Sequence, residues 1–234
     1  MIDIRPFEKL GHANHGWLDA RHHFSFAHYM DHDRMGWGRL RVWNDDTIAP
    51  GTGFDTHPHR NMEIITYVRQ GAITHRDSLG NMGRTETGDV QVMSAGTGIF
   101  HSEHNHEDIP TRIFQIWITP TRGGHAPSWG TRHFPKTGQT GDFTVLASGY
   151  AEDTEALPIH TEARVLGLTL QRGEKAQYSL GKDRLGYLVP ATGSLLLNGQ
   201  TVSTRSGAAI AHEDTITLEA LDDDTEIVLV DTAP

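Results

Sequence analysis

Two short runs about forty residues apart, His57-Pro58-His59 and His101-Ser102-Glu103, hold the side chains best suited to chemistry in this chain. Along an extended strand successive side chains point to opposite faces, so residues two apart share a face. His57 and His59 therefore project together, and so do His101 and Glu103. If two neighbouring strands of a barrel turn those faces inward, three imidazoles and one carboxylate converge. Three neutral nitrogen donors and one anionic oxygen suit a divalent transition metal such as Fe, Ni, Cu, Mn or Zn. One His-x-His pair alone is as readily a solvated surface feature. Two pairs of the same parity, each set among glycines and apolar strand runs, make a metal centre the better reading.

The surroundings of the pairs extend the pattern. Gly51 stands six residues before His57, Glu63 follows His59 by four, and Gly71 closes the strand-like run EIITYVRQ. The second pair is preceded by GDVQVMSAGTGIF from Gly88 onward. A glycine-rich corner there fits the positive φ that tight turns need. Together these runs resemble the two consensus motifs of the cupin superfamily, with one extra residue before Gly71, Ser94 where proline is common, and a longer step from the glycines to His101.

A narrower resemblance follows. FDTHPHRNME over residues 54–63 and MSAGTGIFHSE over residues 93–103 resemble the pirin family of bicupins. GHANHGW over 11–17 and HFSFA over 23–27 are similar to its bacterial branch, the quercetin 2,3-dioxygenases. The likeness is dense over residues 11–119 and thin beyond. It implies an all-β chain of two tandem cupin barrels, with His57, His59, His101 and Glu103 as metal ligands and iron(II) as the metal. Ni, Cu, Mn and Zn are the alternatives.

Two acids compete for the fourth position. Glu63 has the parity of His57 and His59, so one regular strand would aim it into the same barrel. Many cupins use the acid at that place, whereas pirins use the acid here numbered Glu103. Glu103 also lies only two residues from His101, and it is the expected ligand. Glu63 is left to orient an imidazole N–H or to be a satisfied inner polar residue.

The rest of the chain supports such an enzyme. At 234 residues it can bury a substantial core as one large or two small domains. Cys is absent, which excludes disulfides and thiolate metal sites. The N-terminal run lacks the apolar stretch of a secretory signal and no segment is long enough to span a membrane, so a cytoplasmic protein is expected. The net charge of -10 argues against a broad nucleic-acid footprint. A monomer is the working expectation.

Of 16 His residues only His160 and His212 lie beyond His133, which places the chemistry in the first half. His104 and His106 fall on the other parity from His101 and read as rim or surface residues. His75, in the outgoing hairpin strand, reads as a solvated strand position, the alternative being that it lines the cavity. His12, His15, His22, His23, His28 and His32 cluster with Trp17, Phe24, Phe26 and Tyr29. The expectation is that they pack across the barrel exterior, the alternative being a cover over its mouth for a flat aromatic substrate.

Long amphipathic helical patterns are missing. Strands are predicted at 39–43, 63–68, 89–93 and 112–119, a hairpin turn at 78–83, and a linker or long surface connection over 120–142. From Gly173 the spacing repeats: Gly173 to Ser179 matches Gly51 to His57, and Leu185 to Gly193 matches Glu63 to Gly71. This ungapped match puts Ser179, Gly181 and Leu185 where the first unit has His57, His59 and Glu63. The repeat predicts a metal-binding barrel over residues 1–130 and a second barrel without metal ligands over 131–234.

Four protein ligands leave open positions on a metal that prefers five or six, the mark of a catalytic site. A Lewis acid there lowers the pKa of a substrate hydroxyl, and Glu103 is placed to take the proton. The resemblance implies the reaction: O2-dependent cleavage of the heterocycle of a flavonol such as quercetin, with loss of carbon monoxide. The same ligands would also serve an iron-dependent redox regulator that binds a transcription or metabolic protein, or a non-oxidative zinc cupin. The sequence leaves all three open.

Overall fold

The computed structural model describes residues 1–134 and 141–234; the part of the expected linker at 135–140 lies outside them. Among the described residues there are strands, turns and one short 3-10 turn at Phe7–Lys9, and no α-helix. The chain forms two barrels, each a four-stranded sheet facing a seven-stranded one.

In the first barrel the four-stranded sheet runs Gly53–His59, Ile99–His104, Ala72–Asp77, Met82–Glu86. The other sheet runs Ser128–His133, Asp89–Ser94, Glu63–Gln70, Thr111–Ile118, Leu40–Ile48, Leu18–His22, Gly11–Asn14. The second barrel repeats this order. Its small sheet is Lys175–Ser179, Thr215–Ala220, Leu195–Leu197, Gln200–Val202. The heart of its large sheet is Gly207–Ala211, Leu185–Pro190, Thr225–Thr232, Ala163–Leu170. The internal repeat is thus a repeat of topology. One exchange crosses it: Ile2–Arg5, at the start of the chain, pairs with Gly207–Ala211 as an edge of the second barrel's sheet.

Strict alternation along the central strands builds two cores at once. In Thr111–Ile118, Phe114, Ile116 and Ile118 face one way and Ile113, Gln115 and Trp117 the other. The first set joins Trp43, Ile65, Tyr67, Val90 and Val92, and meets Val165, Tyr187, Val189, Val228 and Val230 from the second large sheet. The two large sheets therefore pack back to back, and this seam is the largest apolar core. Across it Tyr187 touches the Phe24 ring at 4.8 Å and the Trp43 ring at 5.6 Å, and Arg205 pairs with buried Asp45. The opposite faces of the strands line the barrel interiors.

Candidate metal centre

The strands bring the first barrel's inward side chains together as their register dictates. His101 is directly opposite His57 in the small sheet, and on its other side Glu103 is opposite His75. An irregularity between His101 and Glu103 lets Glu103 face Phe54. The donor atoms of His57, His59 and His101 lie within 4.8 Å of one another, and those of His75, His101 and Glu103 form a second such group. His101 is common to both. Glu103 thus adjoins the three-histidine cluster through His101 and is not itself grouped with His57 and His59.

The hydrogen bonds orient the imidazoles so that one ring nitrogen faces the cluster. His57 Nδ1 donates to the Asp55 carbonyl at 2.6 Å, which leaves Nε2 as a lone pair. A longer relay does the same for His101. His75 Nε2 donates to Asp77 Oδ2 at 3.0 Å, so its Nδ1 accepts from His101 Nδ1 at 3.4 Å. His101 Nε2 is then a bare lone pair, buried and without any hydrogen-bond partner. Burial, helped by the neighbouring imidazoles, pushes the His101 pKa down to about 2 and that of His59 to about 4. An orphaned buried nitrogen among neutral imidazoles is a poor resting state for a core and a good fit to a metal ion.

Glu103 is enclosed by amides. Gln91 Nε2 and Thr66 Oγ1 donate to its Oε1, and Gln115 Nε2 donates to Oε2 at 2.7 Å. Trp117 Nε1 donates to Gln115 Oε1 at 3.2 Å, fixing which end of that amide faces the acid. The Trp117 ring also stands edge-on to His59 at 4.9 Å. Desolvation is the largest influence on Glu103 and raises its pKa to about 7 against these hydrogen bonds.

Several positions differ from the sequence reading. His75 is not solvated; it is fully buried, stacked on Trp129 at 4.9 Å, and part of the relay. Glu63 does not enter this barrel. Between His59 and Glu63 the chain leaves one sheet and joins the other through a corner with Asn61 at φ 47°, so the parity count restarts. The N-terminal His segment packs only in part across the exterior, where His23 and Phe24 meet Tyr187. It forms the edge strands of the large sheet and, with His12, His22, Phe26, Tyr29 and Asn44, lines a cavity of about 470 Å³. That cavity ends on Phe54, Asp46 and Gln115. His104 is half-buried and His106 exposed, stacked on each other.

Gln91, Gln115, Thr66 and Asp46 carry weight that the motifs did not show. The signal for Gln91, Gln115 and Thr66 was a polar residue in the middle of an apolar strand run; Asp46 sits in a polar run, Asn44 to Thr47, and carried none. Asp46 is buried beside the cavity, and burial with the nearby charges of Asp45 and Glu103 holds its carboxyl well above the usual range.

In the second barrel the inward positions of Lys175–Ser179 are Ala176 and Tyr178, one step off the ungapped match, with Ser179 exposed. Leu180, Leu195, Leu197, Ile216 and Leu218 fill the space around them.

Two repeated barrels, one lined by imidazoles and amides and the other packed with leucine, define a bicupin. Known sequences agree. The pirin model matches residues 3–118, and the quercetinase C-terminal cupin domain matches residues 145–232. A pirin-like protein of Caulobacter vibrioides is 63% identical over 233 residues, with all of both chains covered. A quercetin 2,3-dioxygenase of Escherichia coli (strain K12) is 40% identical over 235 residues, again covering all of both. The crystal structure of the bacterial pirin YhhW from Escherichia coli in complex with nickel(II) superimposes with a TM-score of 0.93 at 40% identity over the whole of both chains. The chain belongs to the pirin family.

Proposed function

We propose that the chain is a metal-dependent dioxygenase acting on a flavonol-like aromatic enol, with His57, His59, His101 and Glu103 holding one divalent metal, iron(II) by expectation. The observation that carries this reading is the buried, partnerless Nε2 of His101 beside two further imidazoles and Glu103; a cavity of about 470 Å³ reaches Gln115, which bonds Glu103, and Phe54, whose ring centre is 6.4 Å from that of His57. A redox-active metal, when bound, supplies Lewis acidity toward a substrate hydroxyl and an electron path to O2.

The chain's own side chains do the remaining work. His22, Phe26, Tyr29 and Phe54 give the cavity flat, largely apolar walls, and its size lies within the roughly 300–1,000 Å³ common for small-molecule sites. Gln91, Thr66 and Gln115 hold the Glu103 carboxylate, which takes the proton from the substrate hydroxyl at one of its oxygens. The overall reaction consumes one O2 per flavonol, opens the heterocycle and releases one carbon monoxide. The relatives named for quercetin dioxygenation support this substrate class.

The test is metal analysis followed by aerobic and anaerobic assays with quercetin on the iron-loaded protein. Oxygen uptake with matching carbon monoxide release is expected, and His101→Ala should abolish both together with first-barrel metal. A fully loaded protein that consumes no O2 with any flavonol, yet captures a protein partner in one iron oxidation state, would replace this reading with the regulatory one.

A further inference from the structure

Glu63, excluded from the first-barrel centre, faces the seam between the barrels. On its strand it shares a side with Ile65 and Tyr67 of the inter-barrel core, whereas Thr66, on the other side, bonds Glu103. A sheet therefore separates Glu63 from the first centre. Around its carboxylate lie Ser94 and His125 from the first barrel, the latter in the loop between Thr111–Ile118 and Ser128–His133, and His160 from the loop that precedes Ala163–Leu170 of the second. We propose that Glu63, His125 and His160 form a second divalent transition-metal site in the seam, distinct from the first-barrel centre.

The three donors lie within 4.8 Å of one another. His125 Nε2 is 3.3 Å from Glu63 Oε1, and His160 Nδ1 is 3.7 Å from Glu63 Oε2. Ligand-to-ligand edges around a tetrahedral zinc with bonds of about 2.0–2.1 Å are close to ~3.4 Å. The two rings are stacked at 3.8 Å, tilted by only 10°. Two imidazoles and a carboxylate are a common donor set for zinc and its neighbours.

The hydrogen bonds leave one atom unexplained. Ser94 Oγ donates to Glu63 Oε1 at 2.9 Å and can accept from His125 Nε2 at 2.7 Å and His160 Nδ1 at 3.1 Å. That one hydroxyl satisfies both rings and one carboxylate oxygen. Glu63 Oε2 has no hydrogen-bond partner, although Glu63 is fully buried. Among the described residues no Lys or Arg forms an ion pair with Glu63; the groups that face its carboxylate within 4 Å as ion-pair partners are the two imidazoles. A buried carboxylate with a bare oxygen needs a cation.

The imidazoles are also held in place. Thr97 N–H donates to the His125 carbonyl at 2.9 Å, and Gly96 at φ 48° lies so close that a Cβ there would sit 2.3 Å from the same oxygen. Thr121 N–H donates to the His160 carbonyl at 2.9 Å. Both rings border a cavity of about 450 Å³ between residues 121–125 and 149–162, which gives an ion a way in and leaves room for water on its open side. An ion held here would join the two barrels.

The test is zinc stoichiometry of the full-length, metal-stripped chain after equilibrium dialysis, with unfolding temperature as a second readout. Wild type should bind two zinc ions per chain. His59→Ala/His101→Ala, which breaks both groups of the first centre, should retain one and show a higher unfolding temperature with zinc than without. His125→Ala/His160→Ala should lose one. Glu63→Gln keeps the shape and the Ser94 bond, so it tests the charge without emptying the seam, and should weaken the seam site at least tenfold. One zinc in wild type, two in the His125→Ala/His160→Ala protein, or wild-type seam affinity in Glu63→Gln would each overturn the proposal. A single zinc would mean that a protonated imidazole balances Glu63. None of these outcomes depends on flavonol turnover.

Discussion

The two barrels have the same strand order and opposite interiors. Where the first places His101 and Glu103 on the middle strand of its small sheet, the second places Ile216, Leu218 and Ala220. Where the first has His75, the second has Leu195 and Leu197. The backbone therefore does not specify the chemistry; the residues at inward parity do. An apolar filling stabilises a barrel by burial and close packing. Imidazoles and a carboxylate give up that stabilisation and require partners, which the first barrel supplies through Asp77, Gln91 and Gln115. Both outer faces, by contrast, are apolar in the same way, since each must cover the other.

The strongest way to break this contrast is to remove charge from the first interior without removing bulk. Glu103→Gln keeps the shape, but its amide must meet donors on both sides, because Trp117 fixes the Gln115 amide. Turnover of quercetin per bound metal should fall about 10²- to 10⁴-fold if Glu103 is the proton acceptor. Normal turnover at full metal loading would remove that role. The matching change in the second interior is Leu218→Ala. It should cost about 2–5 kcal/mol of stability, as large-to-small changes in cores do, and leave first-barrel metal content unchanged. Urea unfolding and metal analysis on the same samples would separate the two effects.

A finer change tests the support of the donors. Asp77→Asn removes the acid that anchors the His75–His101 relay. Partners of this kind typically contribute about 10- to 100-fold to metal affinity, so competitive chelator titration should show a loss in that range with His57, His59 and His101 all intact. Unchanged affinity would mean that the relay is packing alone.

What the sequence made legible was local and periodic. His57 and His59 share a face because they sit within one strand, and His101 joins their cluster from the strand beside it. Glu103, past the irregularity in its strand, lies in the adjoining group with His75 and His101. Glu63 could not be read that way, because Asn61 turns the chain between sheets and resets the alternation. His75 was hidden for a related reason: the run ITHRD shows a strand without saying which face meets the barrel. The amides around Glu103 come from the strands just before and after it in sequence but across the barrel in the other sheet, and only the folded register brings Gln91 and Gln115 to one acid. Ile2–Arg5 pairs about two hundred residues away, with Gly207–Ala211, a choice that adjacency in sequence does not encode. The seam site had the least signal, since Glu63, His125 and His160 lie on three separate segments with no shared spacing.

The smallest expected effect concerns the seam itself, where the two barrels are alike rather than different. His23 is fully buried there, with Nδ1 2.9 Å from the Tyr187 hydroxyl. Burial first, then the nearby Arg34, Arg205 and Arg5, lower its pKa to about 3, so the folded protein keeps this imidazole neutral. The unfolded chain protonates it near 6.5. The folded state therefore binds fewer protons than the unfolded one between those values, and stability falls as the solution is acidified. The contribution is fully present above pH 6.5 and is lost progressively toward pH 3. By pH 5.5 the difference amounts to about 1.4 kcal/mol. His23→Asn keeps a polar atom near the Nδ1 position and has no proton to gain. Urea midpoints at pH 7.5 and 5.5 should then lie closer together for the variant than for wild type, by an amount equivalent to that energy. Equal separation in the two proteins would show that His23 is charged, or exposed, in the fold, and that the two barrels meet less tightly at Tyr187 than their shared apolar face implies.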